Sequence, residues 1–199
     1  MKLVCCDLEG VWIPEIWIKV AEKTGIEELK LTTREISDYD VLMTKRLSVL
    51  DRNGLAMGDI TDVIATIEPF EGAFELLEWI RERSQIIILS DTFEEFARPL
   101  MKKLNYPALL CHSLEIDPSG KITNYRLRQA NQKKHAVKAF KNLNYHVIAF
   151  GDSYNDTAML KEAHEAFFFM PPDNVIKEFP QFDVVRTYGE LKDKLEGML

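Results

Sequence analysis

Cysteine is scarce in this 199-residue chain, with three residues and no CxxC pair, so a disulfide framework is not expected. Cys5 and Cys6 are adjacent inside an apparent strand and read as small buried hydrophobes. Basic runs are also missing: no stretch of Lys or Arg exceeds two or three residues, and the formal net charge is −7. That balance excludes a nucleic-acid footprint and favours a small-molecule partner. No apolar run approaches the roughly 18 residues that a membrane span needs, so no membrane partner is expected. The first residues lack the basic-then-apolar layout of a signal peptide, which makes a reducing cytoplasm the expected location. Repeats, low-complexity tracts and linkers are absent too. A homodimer is left open.

What is present is enough apolar material, 46% of residues, for one good core or for a core domain carrying a smaller insertion. Short apolar runs at 2–6, 85–89, 146–150, 166–170 and 183–185 read as strands. Helix-period segments lie between most of them, at 70–83, 131–143 and 154–164. This alternation implies an α/β fold with a mostly parallel sheet covered on both faces. From about 12 to 69 the alternation stops, and helical patterns replace it. The clearest sets Ile36, Tyr39, Met43, Leu47 and Leu50 along one stripe, so this stretch reads as an all-helical insertion after the first strand. In "LEIDPSGKITNYRL", alternating residues flank Asp117-Pro118-Ser119-Gly120, a hairpin signal. Pro99, within "TFEEFARPLMKKL", is expected to kink or break its helix.

Polar residues gather just after the strands. The first run delivers Asp7-Leu8-Glu9, the second Ser90-Asp91-Thr92, and 146–150 delivers Gly151-Asp152-Ser153-Tyr154-Asn155-Asp156. Lys133-Lys134 open the helix that feeds the last of these. In a parallel sheet such tips share one edge and can converge on one pocket. Several carboxylates, a hydroxyl and an ammonium in one pocket are costly unless a cation and an anionic ligand balance them. Oxygen donors suit Mg²⁺, which keeps waters and substrate phosphate among its ligands. Asp7 and Asp152 are the natural pair, and Glu9 joins them in the expected metal set. Lys133, preferred over Lys134 by spacing, and Ser90 would neutralise and orient a phosphate. Asp7 would attack phosphorus, and Glu9 would protonate the departing alcohol and later take a proton from the acceptor. Asn155 is expected to orient substrate or phosphate, with Asp91 beside it on the substrate side and Asp156 supporting the metal's ligands from behind. His112, His135, His146 and His164 show no ligand spacing and are expected to do nothing chemical.

Asp7-Leu8-Glu9-Gly10-Val11, Ser90, Lys133 and "GDSYND" together resemble the four motifs of the haloacid dehalogenase superfamily of phosphotransferases. Within it, "PFEGAFELLEWIRERSQIIILSDT" and "VIAFGDSYNDTAMLKEAHEAFFF" look most like phosphoserine phosphatases, as does the helical insertion. The resemblance implies a Rossmann-like core, 1–11 and 70–199, with a helical cap over 12–69 that sets substrate specificity. It also implies that Glu15 receives the substrate amino group and that Arg46 clamps the substrate carboxylate. Arg46 lies on the row Tyr39, Leu42, Arg46, Val49, beside the apolar stripe, and a planar guanidinium suits a carboxylate.

Three positions depart from the family pattern. Glu9 stands where Asp is usual, Val11 where Thr is common, and Asp91-Thr92 where two glycines usually follow the serine. Together they look like a bacterial subgroup described as phosphoserine phosphatases that also transfer the phosphoryl group to homoserine. The implied function is Mg²⁺-dependent hydrolysis of phosphoserine through an aspartyl phosphate, with water or homoserine as acceptor, in serine and threonine metabolism. Two alternatives stay open: a phosphatase for another small phosphate monoester, and a non-enzymatic signalling module phosphorylated on Asp7.

Overall fold

Four of the five residues of β1 (Lys2–Cys6) alternate between two interiors: Val4 and Cys6 join one hydrophobic cluster, Leu3 and Cys5 the other. That is the period-2 signature of a strand buried on both faces. The computed structural model describes residues 1–32, 35, 36 and 38–199. Six further strands follow: β2 (Gln85–Phe93), β3 (Ala108–Ile116), β4 (Ile122–Arg126), β5 (His146–Gly151), β6 (Glu165–Phe169) and β7 (Asp183–Val185). The helices are α1 (Ile16–Thr24), α2 (Tyr39–Arg52), α3 (Met57–Ala65), α4 (Ala73–Arg81), α5 (Glu94–Lys103), α6 (Gln132–Asn142), α7 (Thr157–Glu162), α8 (Asp173–Glu178) and α9 (Tyr188–Glu196).

The seven strands form one sheet in the order β4-β3-β2-β1-β5-β6-β7, parallel throughout except for the antiparallel β3–β4 pair. Residues of α4, α5 and α9 pack on one face and residues of α6, α7 and α8 on the other, the expected α/β arrangement. The chain order reverses at β1, which lies between β2 and β5. In such sheets the crevice beyond the carboxyl ends at the reversal is the ligand site.

Between residues 12 and 69 the described residues form α1, a 3₁₀ turn at Glu27–Lys30, α2 and α3, and no strand of the sheet. The segment leaves and returns at one place, where the Phe70 N–H donates to the Trp12 carbonyl at 3.0 Å. Asp38 caps α2 by accepting from the Val41 N–H at 3.0 Å. The β3–β4 hairpin braces these helices: the Met57 N–H donates to the Gly120 carbonyl at 2.8 Å, and Lys121 pairs with Asp51 at 2.5 Å.

Three local expectations change. Of the kink or break expected at Pro99, the break does not occur: helix α5 runs through it. The proline costs about 3 kcal/mol, but Phe96, Ala97, Leu100 and Met101 are buried on one face of the helix, and full burial of a single large apolar side chain returns about 1.5–3 kcal/mol. Residues 108–112, not among the runs taken for strands, form the first half of β3, a short segment with too little periodicity to be assigned alone. Residues 154–156 wind as a 3₁₀ turn before α7 begins.

Candidate active site

Strand β2 does not simply end at Ser90. It pairs with β3 at Leu89↔Leu110 and again at Phe93↔His112, so three residues of β2 intervene against one of β3. Ser90, Asp91 and Thr92 therefore sit in a bulge, a device that re-aims side chains beside functional sites. From β1 and β5 come Asp7 and Asp152, and from the first turn of α6 comes Lys133. All three are buried, whereas Lys134 is exposed.

Lys133 Nζ lies 2.8 Å from Asp7 Oδ2, 2.8 Å from Asp156 Oδ1 and 3.9 Å from Asp91 Oδ2. Asp7 Oδ1 accepts from the Leu8 N–H at 2.7 Å. Asp156 turns its second oxygen to the N–H groups of Asp152 and Ser153, at 3.0 and 3.1 Å, and so shapes the loop that presents Asp152. Two glycines permit this crowding. A Cβ on Gly10 would stand 2.5 Å from the Asp152 carboxyl, and one on Gly151 would stand 2.3 Å from that of Asp156. Gly10 also has φ +73°, a left-handed conformation that side chains disfavour.

Carboxylate oxygens of Asp7, Asp152 and Asp156 lie within 4.8 Å of one another. Burial, reinforced by Asp156 and Asp152, pushes the Asp7 carboxyl well above its usual range despite Lys133. Burial, then Asp156 and Glu15, pushes Asp152 up to about 7. Lys133 is raised, because Asp156, Asp7 and Asp91 outweigh the burial that disfavours its charge. One ammonium thus faces a surplus of carboxylates, and oxygen-only donors in a negatively charged hollow fit a hard divalent cation. The expected metal set was Asp7, Glu9 and Asp152. The carboxylates that converge are those of Asp7, Asp152 and Asp156, and the Glu9 side chain is not among them.

Glu9 Oε2 instead accepts from the Ile16 N–H at 2.8 Å, at the start of α1. Burial and the neighbouring Glu15 push its carboxyl up to about 8. Glu15 occupies the N-cap of α1 and lines the same cleft, which has a volume of about 460 Å³. Arg46 reaches this cleft from α2 and is 8% exposed. Its guanidinium lies 4.6 Å from the Trp17 ring centroid, and Nη2 donates to the Leu31 carbonyl at 2.9 Å. Its Nε is the one buried side-chain nitrogen or oxygen without a hydrogen-bond partner among the described residues. Burial lowers the Arg46 pKa to about 10, so the charge persists at neutral pH and an anion in the cleft would find a waiting donor.

Ser90 Oγ accepts from the Thr92 N–H at 3.2 Å and is 1% exposed. Asn155 Nδ2 donates to Asp91 Oδ2 at 3.1 Å. Burial would raise the Asp91 carboxyl, but Lys133 and hydrogen bonds from His112, Gln132 and Asn155 hold it below the ordinary carboxylate range. His112, Gln132 and Tyr39 did not stand out in the sequence: a lone histidine in a hairpin, a glutamine before a lysine pair and a tyrosine on an apolar stripe carry no motif. Among the described residues no helix is long and apolar enough to cross a membrane.

Residues 1–164 match the family described as haloacid dehalogenase-like hydrolases. The chain is 60% identical over 192 residues to "phosphoserine phosphatase ThrH" of Pseudomonas aeruginosa PAO1, covering 96% of this chain and 94% of that protein. It is 57% identical over 192 residues to a "phosphoserine phosphatase" of Pseudomonas syringae pv. tomato DC3000, covering 96% of this chain and 81% of that one. Among solved structures, a substrate-bound phosphoserine phosphatase complex superposes with TM-score 0.77 at 21% identity, covering 98% of this chain and 97% of that chain. A phospho-aspartyl intermediate analogue of phosphoserine phosphatase superposes at 0.74 and 22% identity, covering 92% and 91%. Both share the fold.

Proposed function

This chain belongs to the haloacid dehalogenase-like hydrolases, and we propose that within that family it is a phosphoserine phosphatase that also passes the phosphoryl group to homoserine. The observation that carries the proposal is the pairing of two ends in one cleft: Lys133 set 2.8 Å from Asp7 and, from α2, a buried Arg46 with an unengaged Nε. The first suits a phosphate, the second an α-carboxylate. The names of the two curated relatives support the same substrate.

The α-carboxylate of phosphoserine binds Arg46 and its ammonium binds Glu15, which directs the phosphate to the sheet edge. Ser90 Oγ, whose lone pair already accepts from Thr92, keeps its proton to donate to a phosphate oxygen. Lys133, from α6, balances the phosphate's charge, and the Asn155 amide, from the turn after β5, donates to a phosphate oxygen. Asp7, whose carboxylate form the Lys133 ammonium at 2.8 Å favours, attacks phosphorus as the bond to the serine oxygen breaks. Glu9, held protonated near neutral pH by burial and Glu15, gives its proton to that oxygen, so serine leaves as an alcohol. Glu9, now a carboxylate, removes a proton from the acceptor, whose oxygen attacks phospho-Asp7. The P–O bond to Asp7 breaks and the aspartate is restored. Mg²⁺ held by Asp7 and Asp152 would supply charge neutralisation for the phosphate.

Homoserine fits as a second acceptor because it carries the same ammonium and carboxylate and a terminal hydroxyl. The segment over 12–69 acts as a cap that selects the occupant and limits water. Phosphorus NMR of the protein with Mg²⁺ and phosphoserine, with and without homoserine, tests both parts. Phosphohomoserine growing at the expense of orthophosphate is the expected outcome. Orthophosphate alone removes the transferase half, and unchanged phosphoserine in both tubes removes the whole proposal.

A further inference from the structure

His112 on β3 is 5% exposed, with the rings of Tyr39 and Phe93 each 6.5 Å away, centroid to centroid. Its Nδ1 accepts from the Arg128 backbone N–H at 3.1 Å, so the ring proton of the neutral form sits on Nε2. That nitrogen faces Asp91 Oδ1 at 3.5 Å. Gln132 Nε2 approaches the same oxygen at 3.2 Å and also donates to the Ser90 carbonyl at 2.5 Å. The Arg128 side chain in turn donates to Gln132 Oε1 at 2.6 Å. Arg128 thereby fixes both donors that hold one oxygen of Asp91.

The other oxygen works on the catalytic side, accepting from Asn155 Nδ2 at 3.1 Å and facing Lys133 Nζ at 3.9 Å. Each Asp91 oxygen thus accepts one hydrogen bond and faces one further nitrogen, His112 Nε2 at 3.5 Å or Lys133 Nζ at 3.9 Å. The carboxylate links β3 to the residues around the phosphate. A carboxylate whose side chain is 32% exposed can rotate into the cleft unless its inner oxygen is held.

We propose that His112 is a positioning residue for phosphoryl transfer, acting through Asp91 on Asn155 and Lys133. The proposal rests on the phosphatase reading for its reaction. His112 touches no reacting atom, and none of the side-chain hydrogen bonds that link Arg128, Gln132, Asp91 and Asn155 involves Arg46 or Trp17 at the far end of the cleft. Its loss therefore disturbs the phosphate end and leaves recognition of the amino-acid end in place.

Two variants separate this from a merely structural role. His112→Asn keeps an acceptor for the Arg128 N–H but offers Asp91 no donor, whereas His112→Gln places an amide N–H near the position of Nε2. Steady-state kinetics on phosphoserine should show kcat down by about ten- to a hundred-fold in the Asn variant, the scale of a misplaced reacting group. KM should stay within about twofold, and the Gln variant should recover most of kcat. Unchanged kcat in both variants, or an equal fall in both, overturns the proposal. If His112→Asn does not fold, Gln132→Met removes the other donor to the same oxygen, and an unchanged kcat there overturns it equally. The same contrast with p-nitrophenyl phosphate, which has no amino-acid end, isolates the phosphoryl end. A wild-type enzyme active on that ester but not on phosphoserine would overturn the substrate reading alone.

Discussion

The Tyr39 hydroxyl on α2 donates to the backbone carbonyl of Asp91 in the β2 bulge at 3.1 Å, fastening the helical segment to the sheet edge that carries the residues proposed to bind phosphate. A net hydrogen bond of this kind is worth about 1 kcal/mol. Tyr39→Phe should therefore raise KM for phosphoserine several-fold without unfolding the protein. Faster hydrogen exchange in α2 of the variant is the accompanying signature, and identical exchange in both proteins would mean that α2 is held by its other contacts alone.

Asp7 is the proposed nucleophile, and its removal should be felt in turnover rather than in folding. Asp7→Asn is expected to reduce phosphoserine turnover to background, with far-UV circular dichroism unchanged. Trapping of radiolabelled phosphate on protein, present in the wild type and missing in the variant, checks the covalent step. Retained turnover in the variant would sink the mechanism.

Removal of divalent cations should abolish activity and lower the thermal midpoint, because Asp7, Asp152 and Asp156 then repel one another around a single ammonium. A cation at about 100 times its Kd stabilises by about 2.7 kcal/mol. The rise on adding Mg²⁺ should be measurable by scanning calorimetry and should largely vanish in Asp152→Asn.

Substrate choice is expected to depend on Arg46. Arg46→Leu should lower kcat/KM for phosphoserine by about a hundredfold, the loss of a charge-assisted pair worth about 3 kcal/mol. Phosphoethanolamine, which lacks the carboxylate, should be turned over equally well by both proteins. Competition kinetics with the two esters decides this, and an equal loss on both would assign Arg46 to structure rather than selection.

Burial pushes the Cys5 thiol from 9.0 up to about 12, and burial followed by Glu94 and Glu95 pushes Cys111 from 9.0 up to about 11. The unfolded chain releases these protons at a lower pH than the folded one. Their stabilising contribution is therefore complete below about pH 9 and declines as the pH rises toward the folded values. Urea unfolding across that range should show a steeper loss in the wild type than in Cys5→Ala. At neutral pH the buried Cys5 and Cys6 thiols should resist a disulfide reagent until the chain is denatured, whereas the half-buried Cys111 should react first.

Most of the sheet was legible because short continuous apolar runs bounded by polar residues mark strands buried on both faces, and the polar residues following Cys6, Leu89 and Phe150 lie at or close to the carboxyl ends of β1, β2 and β5. That order of residues was enough to bring Asp7, Ser90 and Asp152 to one edge on paper, since parallel strands share an edge. Arg46 could be set beside the apolar stripe of α2 from its helical phase alone. Local pattern states which face a side chain takes, and it does not state which atoms of distant elements meet. The β2 bulge that re-aims Asp91, the turn that brings Asp156 rather than Glu9 among the converging carboxylates, and the enclosure of His112 by Tyr39 and Phe93 all depend on register between strands and on how the helical segment lies over them. Those were decided only in the tertiary structure, because hydrogen-bond partners are fixed to a few tenths of an ångström by packing across the whole chain, a precision that no periodicity carries.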